Sequence, residues 1–382
     1  MKKFFFIAMA AIAALAACTK NSIDEGSVKN DSRVINFNTV TGKATKAPIS
    51  GTTYSYNLPS FGVFASYLEK NKTWAANKAT ATRYMDDVEV SFNDTKDIWA
   101  PASTYYWPLE GSLTFIAYSP KSAATATFAE ATGTLTLTGF TVNTTVASQV
   151  DLLYSSINAD RTENESYYVD SANSKNSETA EEDKGVNIKF KHALAQVIFK
   201  AKTATEVYDA GMSFKINNIT VNAASTADNM TVINPADADP SATITTWTNP
   251  KTNDDFFVLG EDFPNDVVAT GAANFLNKTL SAPVGDALLM IPVTGFAATD
   301  PSITIEYTLY RMSDALDMGS KEVTIYFDDI DDIVNNWQAG KKYEYDLTID
   351  LQKIYFNPTI TDWVDAADPQ DVDVPDDKRV TP

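Results

Sequence analysis

The sequence predicts an all-β chain built as two tandem antiparallel β-sandwich domains. Three observations carry this. Near the C-terminus, Tyr343, Tyr345, Leu347, Ile349 and Leu351 alternate with Glu344, Asp346, Thr348 and Asp350. That is the period-two signature of a strand with one buried and one wet face. After residue 17 no segment keeps a helical apolar period. Short β-branched and aromatic runs recur throughout, separated by Gly, Pro and Asn, as sandwiches require. At about 150 residues per domain, a chain of 382 residues accommodates two.

Taken in order, the chain opens with Lys2 and Lys3 and an apolar run from Phe4 to Ala17. The run has the length and flanks of a secretory signal and is too short to span a bilayer. Leu15-Ala16-Ala17-Cys18 resembles the lipobox of bacterial lipoproteins. The resemblance implies that residues 1–17 are a signal peptide and that Cys18 becomes a lipidated N-terminus carrying palmitate. Cys18 is the only cysteine, so no internal disulfide is available and stability must come from burial. Residues 18–32 are small and polar and read as a flexible tether.

The first sandwich is expected over residues 33–184. Its first strand, 34–40, places Ile35 and Phe37 on one face and Asn36 and Asn38 on the other. A small-residue loop follows, with Lys43 and Lys46 open to a trypsin-like protease. Further strands are read at Gly62–Tyr67, Val88–Phe92, Leu113–Tyr118, Thr134–Thr138 and Asp151–Tyr154. Leu113–Tyr118 is apolar on both faces, as in a central strand. Residues 159–184 turn polar and charged and read as a linker. The second sandwich is expected over 185–382. It starts with Val186, Ile188 and Phe190 on one face and ends with strands at Ile354–Phe356 and Thr359–Trp363. An acidic, proline-bearing tail over 365–382 follows.

The side-chain inventory argues against an enzyme. His192 is the only histidine, which excludes a multi-histidine metal centre. A Ser-His-Asp arrangement would have to use it, yet its place between two strand runs, beside Ala193, reads as a structural turn. No glycine-rich phosphate loop is present. Asp328-Asp329-Ile330-Asp331-Asp332 lacks the glycine and closing glutamate of a helix-loop-helix calcium site and reads as a solvated acidic turn, so no metal and no cofactor is expected. Asp170-Ser171-Ala172 resembles a short O-glycosylation motif, with Ser171 as acceptor. The net charge of −20 repels nucleic acid and anionic membrane surfaces.

Several motifs then fall into one order. After Cys18 come Val34-Ile35-Asn36-Phe37-Asn38 and Tyr106-Trp107-Pro108, followed by Phe115-Ile116-Ala117-Tyr118-Ser119-Pro120. Later come Phe190-Lys191-His192-Ala193-Leu194-Ala195-Gln196-Val197, Trp337-Gln338-Ala339-Gly340-Lys341-Lys342-Tyr343 and Ile360-Thr361-Asp362-Trp363. In this order the chain resembles the fimbrillin family, the type V pilins and related surface lipoproteins of Gram-negative anaerobes. The resemblance implies transthyretin-like sandwiches and export as an outer-membrane lipoprotein. It further implies a mature place in a cell-surface fimbrium that serves adhesion, as a stalk or tip subunit. The strand 34–40, with Ile35 and Phe37 as its core, would be removed by a cut after Lys46, with Lys43 and Arg33 as alternatives. Another fimbrial subunit would then supply a replacement strand. The other expectation is a lipid-anchored adhesin that never polymerises and binds glycan on Trp99, Trp107, Trp247 or Trp363.

Overall fold

The computed structural model describes residues 33–40, 60–93, 98–163, 185–234, 243–258, 275–281, 283–295, 301–327 and 336–363. Strands dominate. The first half contains β1 (Phe37–Val40), β2 (Phe61–Leu68), β3 (Thr82–Asn93), β4 (Ile98–Pro101), β5 (Ser112–Ser119), β6 (Thr125–Ala129), β7 (Thr134–Thr138), β8 (Leu153–Ser155) and β9 (Asn158–Arg161). Next come β10 (Val186–His192), β11 (Ala195–Thr203), β12 (Met212–Thr226), β13 (Asn229–Ile233), β14 (Ile244–Thr248), β15 (Lys251–Phe257) and β16 (Leu288–Met290). The chain finishes with β17 (Val293–Thr294), β18 (Ser302–Arg311), β19 (Leu316–Tyr326), β20 (Asn336–Trp337), β21 (Lys341–Ile349) and β22 (Ile354–Asp362). Two short helices, α1 (Trp74–Asn77) and α2 (Thr205–Asp209), sit in connections. The all-β class read from the sequence stands.

The first sheet runs β2-β3-β4-β1-β10-β8-β5-β9, and β2 also pairs with β5. Seven strands therefore close into a ring, with β9 appended to β5. Inside the ring lies a core of Ile35, Phe37, Phe61, Val63, Met85, Val90, Trp99, Trp107, Phe115, Val186, Ile188 and Phe190 among others. β5 is buried along its whole length, because its other face is covered too. Phe64, Ile116 and Tyr118 on the outer side of β2 and β5 join the core that contains Phe128, Leu135 and Leu137 of β6 and β7.

Two four-stranded sheets, β16-β11-β21-β22 and β15-β12-β18-β19, face each other over a shared core in the second half. Tyr343, Tyr345, Leu347 and Ile349 are all buried, as the alternation demands. Phe199 stacks on Tyr345 at 5.6 Å, and Phe214 meets Tyr307 edge-on at 5.5 Å. A further sheet, β14-β13-β7-β6, joins a hairpin from each half of the chain. The pair of strands read at the C-terminus is a single strand, β22, with Pro358 inside it. β22 is the edge of its sheet, where a missing N–H is harmless.

Buried tyrosines should make the fold alkali-sensitive. Burial pushes the Tyr154 phenol up to about 12, against a weaker opposing hydrogen bond with Thr245. Burial raises Tyr345 in the same direction, and burial followed by the nearby Asp87 charge raises Tyr118. An unfolded tyrosine titrates near about 10. Above that pH the unfolded chain releases protons that the folded chain retains, so folding stability falls as pH climbs. The contribution is fully present below about pH 10 and is lost as pH rises towards the folded values. Urea midpoints measured across alkaline pH should stay level to about pH 10 and then drop. A level profile well beyond that pH would mean that these phenols are exposed.

Candidate functional site

The candidate site is the seat of β1, where that strand meets β4 and β10. Ile35 and Phe37 are both 0 % exposed. The Phe37 ring meets Phe61 edge-on at 5.9 Å and Phe115 edge-on at 5.8 Å. Around them Phe61 contacts Trp99 at 5.4 Å and Phe190 at 5.5 Å, and Trp107 contacts Phe115 at 5.8 Å. Edge-to-face aromatic pairs add attraction beyond area burial. One alternating pair, β-branched then aromatic, thus fills the centre of an aromatic core.

The backbone holds this segment on two sides. β1 pairs parallel with β10 over four residues, Phe37 opposite Val186 through Val40 opposite Lys189. Towards β4 it makes one pairing, Phe37 opposite Trp99. Upstream, Ile35 N–H donates to Tyr105 O at 2.8 Å, Trp107 N–H to Arg33 O at 2.9 Å, and Val186 N–H to Asn36 O at 2.8 Å. β1 is therefore the link that closes the ring between β4 and β10. Without it the ring would be an open sheet whose two unpaired edges face one slot.

Arg33 is itself held in place. Its guanidinium donates to Trp107 O at 2.9 Å and lies 3.4 Å from the Glu163 carboxylate. Cys18, Lys43, Lys46, Ser171 and Asp328–Asp332 lie outside the described residues. Among the described residues no group of His, Cys, Asp and Glu is arranged to hold a metal ion.

Of the tryptophans proposed as a glycan platform, Trp99, Trp107 and Trp363 are buried. Trp247 is half-buried, contacts Phe140 at 5.9 Å and donates its indole N–H to Ala193 O at 3.0 Å. The platform reading is corrected for Trp99, Trp107 and Trp363, whose burial leaves no open ring face for sugar stacking.

His192 has partners that the sequence did not disclose. It ends β10, is buried, and lies with Nδ1 2.8 Å from Asp151 Oδ2. Its ring stacks on Trp363 at 3.6 Å between centroids and 8° between planes. The other Asp151 oxygen, Oδ1, is buried with no hydrogen-bond partner among the described residues. The imidazole is thus buried, with one ring face against the Trp363 indole and Nδ1 against the Asp151 carboxylate.

A sequence profile of fimbrillin-like proteins matches residues 45–363, most of the chain. The chain belongs to the fimbrillin-like family. No curated protein matches this fimbrillin-like chain in sequence. Among solved structures it is similar to a fimbrial protein from Bacteroides vulgatus, with a TM-score of 0.55, 20% identity, and coverage of 87% of this chain and 100% of that one. It is also similar to a candidate cell adhesion protein from Bacteroides uniformis, with a TM-score of 0.49, 14% identity, and coverage of 88% and 99%. At 20% identity the first of these likenesses is one of fold. The family match begins at residue 45, so β1 lies outside the matched span of this fimbrillin-like chain.

Proposed function

We propose that this chain is a structural subunit of a cell-surface fimbria, exported as a lipoprotein and assembled when β1 is cut away and replaced by a strand from another subunit. Family membership supports the fimbrial or adhesive role and the surface location. The observation that carries the finer reading is the seat of β1: a four-residue strand that closes a ring of seven, with the buried Phe37 at its start and the buried Ile35 two residues upstream. Such a strand is costly to lose and simple to replace. Main-chain pairing along β10 supplies affinity, and the two side-chain positions supply register. The mature protein would sit in the fimbrium and serve adhesion. The lipid on Cys18 would hold the precursor at the outer membrane.

The alternatives for the cut are separable. Arg33 is engaged through both its side chain and its carbonyl, and the next residues are paired. A protease needs an extended, unpaired segment, so a cut after Arg33 is disfavoured and one after Lys46 or Lys43 is expected. Mass spectrometry of the surface-assembled protein should find an N-terminus at Ala47 or Ala44. Fibres whose subunits keep residues 34–40 would sink the strand-removal reading. No observation specifically favours the non-polymerising adhesin.

A further inference from the structure

β10 is held differently along its length. Val186, Asn187, Ile188 and Lys189 pair with β1 and, among the described residues, with no other strand. Phe190, Lys191 and His192 pair on the opposite edge with Ser155, Tyr154 and Leu153 of β8. After His192 only Ala193 and Leu194 precede β11, which belongs to the second-half sheet and pairs with β21 from Gln196 to Thr203. Losing β1 therefore strips the first half of β10 of its ladder. It does so on a strand that continues almost without interruption into the second half.

At that point of continuation the chain is tied down from every side. His192 is stacked on Trp363 and bonded to Asp151. Ala193 N–H donates to Leu152 O at 2.8 Å, and the Trp247 indole N–H donates to Ala193 O. Gly340 N–H donates to Leu194 O at 2.9 Å, and Trp363 N–H to Gly340 O at 2.8 Å. Asp151 precedes β8 of the ring, whereas Gly340 and Trp363 flank β21 and β22 of the second-half sheet. One imidazole thus joins a side chain from each body.

We propose that Asp151, His192 and Trp363 form a stop that confines the consequences of losing β1 to residues before Phe190 and keeps β11 and its sheet in register. The inference rests on the strand-removal reading for its biological use, but not for its test. Without a stop, fraying of a strand whose ladder has gone runs on until it meets enough packing to halt it. The ring-on-ring stack and the buried carboxylate bond supply that resistance within one residue of β10's end. Asp151 matters because its second oxygen has no partner among the described residues. The bond to His192 holds the other oxygen of this buried carboxylate, and breaking it is costly.

The experiment is hydrogen exchange with peptide-level mass readout on the full chain, as wild type, Trp363→Ala and Trp363→Phe. β1 is disturbed in two independent ways: by brief trypsin cleavage, and by Phe37→Ala in uncut protein. In both, residues 186–189 should exchange about tenfold faster or more, while 195–203 keep wild-type protection. With Trp363→Ala the loss should spread into 195–203, and Trp363→Phe should restore the block. In the uncut chain the single imidazole should show a ring-current shift that Trp363→Ala abolishes. The stop is overturned if 195–203 remain as protected in the disturbed Trp363→Ala chain as in the disturbed wild type. It is equally overturned if they open in wild type. If trypsin leaves 186–189 protected while Phe37→Ala exposes them, the removal reading fails and the stop is still judged on the Phe37→Ala chain.

Discussion

Phe37→Ala should lower the stability of the uncut protein by about 3–5 kcal/mol, the usual cost of truncating a buried phenylalanine. The site gives no room for a smaller effect. Phe37 is 0 % exposed, and its ring is gripped edge-on by Phe61 and Phe115. Collapse around the cavity is opposed because those rings are themselves fixed by Trp99, Phe190 and Trp107. A domain has about 5–15 kcal/mol in total, so the loss is a large share. A fall in melting temperature on the order of 10 °C follows. Under the proposed removal of β1, the same substitution should leave a processed, assembled subunit untouched. Melts of the soluble precursor with and without the substitution decide the matter. A shift under about one degree would remove the strand from the core and the assembly account with it.

His192→Ala should cost a comparable amount, about 3–5 kcal/mol, for a different reason. The substitution deletes little apolar volume. It leaves the Asp151 carboxylate buried, with one oxygen already unpartnered and the other now stripped of its bond. It also uncovers the Trp363 indole. Adding Asp151→Ala removes the stranded charge, so the double variant should regain stability relative to a simple sum, by about 0.5–3 kcal/mol. Urea midpoints for the four proteins of this cycle give the coupling directly. A strictly additive cycle would mean that the imidazole and carboxylate do not act as a pair.

The local pattern was legible where burial is regular. Tyr343 to Ile349 alternates in sequence and in burial alike, because a strand with one wet face must place every second side chain inwards. β5 read as a central strand because apolar residues occupy both of its faces, and the structure covers both. Ile35 and Phe37 were legible as one face of a strand. What that face met was not. The parallel pairing with β10 joins segments about 150 residues apart, and alternation says which way a side chain points but not which strand lies alongside. For the same reason the shared sheet of β6, β7, β13 and β14 had no sequence signal, since each hairpin reads identically whether it pairs with the other or stands alone. The strand containing Pro358 was split in the reading, because a missing N–H argues against an interior strand and is harmless on an edge that only topology reveals.

The single histidine shows the division most plainly. The sequence by itself determined that His192 has no second histidine for a metal site and that it sits where one strand run gives way to another. It determined the all-β class, the alternating faces, and the family order of motifs from Cys18 to Trp363. Only the tertiary structure decided that Asp151 and Trp363, 41 residues before it by hydrogen bond and at the far end of β22 by stacking, converge on its ring. Periodicity is a property of neighbours along the chain and is written in every few residues. Convergence depends on how the ring and the second-half sheets are stacked, and that is set by the sum of buried contacts across the molecule, which no local window contains.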